Sequence, residues 1–201
     1  MFIDFLTVLM INLAAGTALL AYFILTGITK EDQRSFAPAF GVVGLIAVLG
    51  GLRMIFTWPL PGSYNIAFGE STLLFGAVFL GAALATAKGW DLMPISIYAF
   101  FAGVYAVVVG WRIIDLPLTK SPVLSGIGFL LAGLGGIAAA PGLRFLKKNQ
   151  TFRYLAAAVL LVTAAFWAFT FYNALWGHLE SFTSWVPLTM VALLRWAISA
   201  P

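Results

Sequence analysis

The run FLTVLMINLAAGTALLAYFILTGIT, from Phe5 to Thr29, contains no Asp, Glu, Lys or Arg. As a helix that rises ~1.5 Å per residue, about 20 such residues cross the ~30 Å hydrocarbon layer of a membrane. Four further uncharged runs have a similar length: Ser35–Leu52, Leu92–Trp111, Ser121–Leu143 and Tyr154–Leu179. The 201-residue chain is 62% apolar, with a mean hydropathy of +1.02, and so has too little polar surface for a water-soluble fold. These runs predict a polytopic membrane protein.

The predicted fold is all-α: one transmembrane helical bundle that covers residues 1–201 as a single domain. Backbone groups in lipid must be satisfied within a helix or a closed barrel, and the short alternating segments of a barrel are absent. Six spans are predicted, at 5–27, 37–56, 71–88, 92–112, 122–140 and 153–175. We expect a short seventh span within Phe182–Ala200, although Pro187 and Arg195 leave a re-entrant segment as the alternative.

Basic residues predict the orientation, because cytoplasmic loops of membrane proteins are enriched in Lys and Arg. The gaps after spans one, three and five hold seven basic residues, whereas the opposite side holds three. We therefore expect a multi-pass protein of the cell membrane with its N-terminus outside, and Asp4 favours a retained first span over a cleaved signal peptide. The inner set is Lys30, Arg34, Lys88, Arg144, Lys147, Lys148 and Arg153, and the outer set is Arg53, Arg112 and Lys120.

Composition excludes several function classes. There is no cysteine and only one histidine, which rules out disulfides, thiolate metal sites, a Cys nucleophile and a two-histidine haem within one chain. The formal charge of +4 comes from basic residues scattered at span ends, so no nucleic-acid partner is expected. Neither a Gly-x-Ser-x-Gly elbow nor a phosphate-binding loop is present. The sequence leaves open whether the protein is an enzyme and names no cofactor.

A short pattern recurs at the ends of spans two and four. Gly51-Leu52-Arg53-Met54-Ile55 is followed by Pro59-Leu60, and Gly110-Trp111-Arg112-Ile113-Ile114 is followed by Pro117-Leu118. The two arginines are 59 residues apart, about the length of one two-span hairpin. This recurrence predicts a tandem hairpin repeat about an axis along the membrane normal, with chance in a short apolar pattern as the alternative.

Glycines crowd spans two, three and five. Small residues let helix backbones approach closely, which drives helix association in lipid. We expect these glycines to build a compact bundle, and the same surfaces offer contacts for a homo-oligomer or for a partner in a membrane complex. The bilayer itself is the expected surrounding partner.

Unusual side chains collect at the predicted outer side. The functional interpretation is a polar pocket in which two related arginines point into the bundle and meet carboxylates, with Glu70 the first partner of Arg53 and Asp115 the second. Buried charges are costly and are rarely kept in a membrane without a use. The alternative is that each arginine snorkels towards the headgroups. The candidate ligand-binding residues are Arg53, Glu70, Arg112, Asp115, Tyr64 and Asn65.

His178 and Glu180 form a weaker candidate metal site. Imidazole and carboxylate are ligands of zinc, iron and manganese, but residues i and i+2 of a helix point in different directions. A turn or strand after Gly177 would let them converge, whereas a solvated histidine at a membrane surface is the plainer interpretation.

Polar residues inside the spans are few. Asn12 should find a partner on another helix, because its amide cannot be left unpaired in lipid. The hydroxyls of Tyr105, Thr163 and Thr170 can bond to their own helix backbone and need no other partner. No charge is expected at mid-depth, which counts against an ion pump.

The stretch from Gly51 to Phe75, with RMIFTWPLPGSYNIAFGE at its centre (residues 53–70), resembles an uncharacterised prokaryotic family of polytopic membrane proteins, a domain of unknown function. The resemblance implies a polytopic membrane protein and assigns no site residues. Three functions therefore compete: ligand or ion binding in an outward-facing pocket, in transport or sensing; a membrane enzyme with a metal at its outer surface; and a non-catalytic subunit of a larger membrane complex.

Overall fold

A computed structural model describes residues 6–183, 185–186 and 190–191. Within those residues every regular element is a helix and none is a strand, which confirms the all-α prediction. In this described part of the chain, six helices are long and apolar enough to cross a membrane. They are α1 (Leu6–Thr26), α2 (Ala37–Thr57), α3 (Ser71–Lys88), α4 (Met93–Asp115), α5 (Pro122–Lys148) and α6 (Gln150–Ser181). The expected seventh span, Phe182–Ala200, lies mostly outside the described residues.

Local sequence fixes the helix ends. Proline stands in the first turn of α2, α4 and α5, where its missing N–H costs no hydrogen bond. Gly89 ends α3 in the left-handed conformation (φ 68°), which glycine adopts without steric cost. Asn149 alone separates α5 from α6, and its side-chain oxygen accepts a 3.0 Å hydrogen bond from the N–H of Phe152. The predicted span limits were too short at α5 and α6, because both helices continue beyond their uncharged runs.

The six helices pack as a closed ring in chain order. The closest neighbours are α2 with α3, α4 with α5, and α1 with α6; α1–α2, α3–α4 and α5–α6 make smaller contacts. Because the first helix packs against the last, the ring has no open side between its ends. Two apolar cores fill it, one near Phe40 and Phe79 and the other near Ile113 and Trp167.

Glycines line the contact between α2 and α3 and the contact between α4 and α5, where helix backbones nearly touch. We call these two contacts the hairpin seams. A Cβ at Gly44 would lie 2.6 Å from the backbone nitrogen of Leu80, and one at Gly51 would lie 2.7 Å from that of Leu73. Across the α4–α5 seam the closest approaches join Gly103 to Gly133 and Ile137, and Gly110 to Gly126 and Leu130. Backbone atoms cannot rotate away, so these seams accept no larger residue without separating the helices.

The helices α1 and α2 are joined by a polar side-chain contact and not by a close approach of glycine backbones. The side-chain amide of Asn12 donates a 2.9 Å hydrogen bond to the carbonyl oxygen of Val43, and Asn12 is buried. The predicted inter-helix partner of Asn12 is thus confirmed. The threonine prediction is also confirmed, since Thr163 and Thr170 each donate to the carbonyl four residues earlier.

Candidate functional site

The six predicted ligand-binding residues do not converge into one charged pocket. Arg112 and Asp115 pair with each other one turn apart on α4, and about half of each side chain is exposed (54% and 49%). This pair satisfies both charges at the surface, where such interactions contribute only ~0–1 kcal/mol. Asp115 is therefore not the partner of Arg53.

Arg53 is exposed on α2, and among the described residues no ion pair joins it to Glu70. The prediction that these two side chains pair inside the bundle is wrong. The glycine seam explains it: Gly51 faces α3, and Arg53, two residues further along the helix, points away from that seam. The snorkelling alternative fits this exposure.

Asn65 builds the loop before α3. Its side-chain oxygen accepts a 3.0 Å hydrogen bond from the N–H of Leu60, and its amide donates to the carbonyl oxygens of Leu60 (2.5 Å) and Gly62 (3.4 Å). Asn65 is completely buried, and the ring of its neighbour Tyr64 stacks on Phe68 with centroids 6.2 Å apart. Asn65 thus folds the chain back on itself and positions the turn that follows.

That turn is a π-helix, Asn65–Glu70, which continues directly into α3. Single π-helical turns inside longer helices are rare and occur frequently at functional sites. The helical segment therefore begins at Asn65, six residues earlier than the predicted span. As a result, Glu70 is the sixth residue of a 24-residue apolar helical segment and does not stand at its start.

Glu70 is bound there by Tyr105, from the middle of α4. The Tyr105 hydroxyl donates to the Glu70 carboxylate with 2.6 Å between the oxygens, and the Ile66 carbonyl oxygen lies 3.4 Å from the same hydroxyl. Both residues are partly buried between α3 and α4. The expectation that Tyr105 needs no partner is wrong, because a phenolic hydroxyl stands too far from its own backbone to bond to it.

The Glu70 carboxylate has spare acceptor capacity. Ionised, it offers about four lone-pair directions, and the described residues supply it with one hydroxyl donor and no cation within 4.0 Å. The next side chain, Ser71, has a buried hydroxyl oxygen without a hydrogen-bond partner in the described part of the chain. Buried polar atoms are normally satisfied, so this segment has polar groups that an additional ligand could meet.

The candidate metal residues lie apart from this carboxylate. The helix α6 continues to Ser181, so the turn or strand that was to bring His178 and Glu180 together does not form. The two side chains leave the helix in different directions. No group of three or more His, Asp or Glu side chains that could hold a metal ion occurs within the described ranges.

Sequence reasoning missed Tyr105 as a site residue, although two signals bear on the site without identifying the contact with Glu70. Tyr105 stands seven residues before Arg112, which is two helical turns and places both on one face of α4. The turn-forming sequence Pro61-Gly62-Ser63 also ends before Tyr64, so the helix could have been expected to begin well before Ser71.

Comparisons with known proteins agree with the resemblance drawn from the stretch Gly51 to Phe75. No curated protein and no solved structure matches the chain. A family model described as "Protein of unknown function (DUF981)" matches residues 1–181, which include all six helices and both residues of the Glu70–Tyr105 pair. The chain belongs to this uncharacterised family.

Proposed function

We propose that the protein is a multi-pass membrane protein that binds a cation or cationic ligand at Glu70, in a transport or sensing role. The observation that carries the proposal is the Glu70–Tyr105 hydrogen bond within apolar helical segments. An ionisable side chain in such a segment is expensive in lipid and marks an ion or substrate pathway by default.

Membrane embedding is supported by the outer surface of the helices. Large apolar side chains lie exposed along their length, and a water-soluble protein rarely exposes contiguous patches of this size. A 21-residue helix such as α2 is about 32 Å long, which matches the hydrocarbon layer. Examples of these exposed residues are Val42, Leu45, Leu49, Phe101, Val108, Leu134, Leu155, Val162 and Phe169.

Chemistry at Glu70 favours a cation over an anion. Tyr105 holds one carboxylate oxygen and orients the group, while the other oxygen keeps its acceptor directions. Arg53 is too far away to neutralise the carboxylate, and Arg112 is occupied by Asp115. Tyr64 and Asn65 then act as the scaffold of the site, and the Arg112–Asp115 pair lies nearer the end of α4.

The test measures thermal stability of the purified protein in detergent as Na⁺, K⁺ or methylammonium is added, with choline chloride holding the ionic strength constant. A cation that binds the folded state raises the melting temperature. We expect at least one of these cations to do so for the wild type and for Glu180→Gln, an exposed carboxylate of the same kind. Glu70→Gln should abolish the rise, and Tyr105→Phe should reduce it. Equal responses of Glu70→Gln and Glu180→Gln would overturn the proposal.

We also propose that α2–α3 and α4–α5 are duplicated hairpins. Support comes from the seam contacts, which recur with constant offsets: 59 residues on the first helix and 57 on the second. Gly51 approaches Gly69 and Leu73 as Gly110 approaches Gly126 and Leu130. If the Gly-x-Arg-x-Ile pattern recurred by chance, the contact residues on the facing helix would not also recur at a constant offset. An experimental structure in which the two hairpins fail to superpose would refute the duplication.

A further inference from the structure

A groove lies between the start of α4 and the end of α5, away from Glu70. Its volume is about 410 Å³, within the range of small-molecule sites. The walls are mostly apolar, and two basic side chains, Arg144 and Lys148, stand along one edge. The lining residues are Met93, Ala140, Pro141, Arg144, Phe145 and Lys148.

The two basic residues are adjacent on one face of α5. Arg144 and Lys148 are four residues apart, so their charges lie one helical turn from each other and repel. Both are exposed, and within the described residues neither forms an ion pair. An anion bound between them would relieve this repulsion.

Acidic residues are missing from this part of the sequence. No Asp or Glu occurs between Asp115 and Glu180, whereas Arg144, Lys147, Lys148 and Arg153 all fall at the α5–α6 turn. Asp91 precedes Met93 on the groove's other wall, but its carboxylate accepts a 3.2 Å hydrogen bond from the N–H of Met93 and lines a separate groove on the α3 side of α4. The groove's charge is therefore uncompensated by the protein.

We propose that this groove binds an anionic phospholipid, with the phosphate between Arg144 and Lys148 and an acyl chain against Met93, Pro141 and Phe145. The proposal rests on the membrane embedding proposed above but not on cation binding at Glu70. A basic edge at the end of an apolar helix fits a molecule that is anionic at one end and apolar at the other, and basic pockets between helices on the cytoplasmic side bind such headgroups. The groove lies at the end of the molecule that the basic residues predict to be the inner, cytoplasmic side.

The test compares the purified full chain in nanodiscs of phosphatidylcholine alone with nanodiscs that contain phosphatidylglycerol. Phosphatidylglycerol should raise the melting temperature of the wild type by about 3–6 °C, the scale of a saturating ligand for a chain of this size. The double variant Arg144→Gln/Lys148→Gln should lose most of that rise. Its matched control, Lys30→Gln/Lys147→Gln, removes the same charge from exposed residues outside the groove and should keep it.

The same measurements distinguish a lipid site from surface attraction and from a free-anion site. Equal loss in the two double variants would mean general surface attraction and would overturn the site. A comparable rise with inorganic phosphate in phosphatidylcholine nanodiscs would assign the groove to a free anion and would overturn the lipid. If the double variant fails to incorporate into nanodiscs, the single variants Arg144→Gln and Lys148→Gln are each compared with Lys147→Gln. Each should lose more of the rise in melting temperature than Lys147→Gln, and equal losses would overturn the site. A failure of wild-type chain to incorporate would instead refute membrane embedding.

Discussion

At the scale of single residues, the Tyr105–Glu70 contact links α4 to the π-helical turn before α3. A hydrogen bond to a charged group contributes about 1.5–3 kcal/mol when buried, and less for a partly exposed pair such as this one. Tyr105→Phe removes only the hydroxyl. We expect the melting temperature in detergent to fall by about 2–4 °C, corresponding to ~1 kcal/mol. Tyr98→Phe, on an exposed tyrosine of the same helix, should leave it unchanged, and equal effects would mean that the Tyr105 hydroxyl stabilises nothing.

Asn65 should be the more sensitive position. Its side chain makes three hydrogen bonds to backbone groups of the 60–65 turn, and replacement by alanine removes all three at a cost of about 1–3 kcal/mol. Asn65→Ala should lower the melting temperature clearly and should also weaken any cation response at Glu70. Asn173→Ala is the control, because Asn173 is exposed and bonds only within its own helix. Urea or thermal unfolding of both variants checks the difference.

At the scale of helices, the seams predict that one substitution has opposite effects at different glycines. A Cβ at Gly51 would collide with the backbone of Leu73, so Gly51→Ala should destabilise by about 1–3 kcal/mol. At Gly135 the nearest atom would be 3.8 Å away, so Gly135→Ala meets no clash and gains up to ~1 kcal/mol of helix propensity. Thermal unfolding of the two variants should therefore shift in opposite directions. A neutral Gly51→Ala would show that the helices can separate without cost.

Helix existence was predictable because uncharged runs of about 20 residues leave few alternatives in lipid. The start of α3 was not, because Asn65 secures it through hydrogen bonds to a loop that no periodicity reveals. The periodicity of the sequence likewise does not reveal the directions in which the Arg53 and Tyr105 side chains point. Sequence placed Arg53 and Arg112 near helix ends correctly, whereas Glu70 lies inside its helical segment. Which side chain meets Glu70 depends on the rotation of α4 about its own axis.

At the scale of the whole molecule, the orientation stays a prediction that single cysteines can test. The chain has no cysteine of its own, so Ser63→Cys and Gln150→Cys each give one reporter, both at exposed positions. The basic residues place Ser63 outside and Gln150 inside. In intact cells an impermeant maleimide should label Ser63→Cys only, and both should react after lysis. Labelling of Gln150→Cys alone would reverse the topology.

Closure of the ring by α1 and α6 also sets an order of events during synthesis. Neighbouring helices α2–α3 and α4–α5 can pair as soon as they emerge, whereas α1 waits for the last helix, and contacts distant in sequence form late. Ala14, 5% exposed in the finished ring, should thus face lipid in a ribosome-arrested chain that ends at Asn149. A photo-crosslinker there should label lipid in the arrested chain but not in the complete one. The surface of α1 around Ala14 is thus buried in the mature protein, yet it stays exposed to lipid until the last helix has been made.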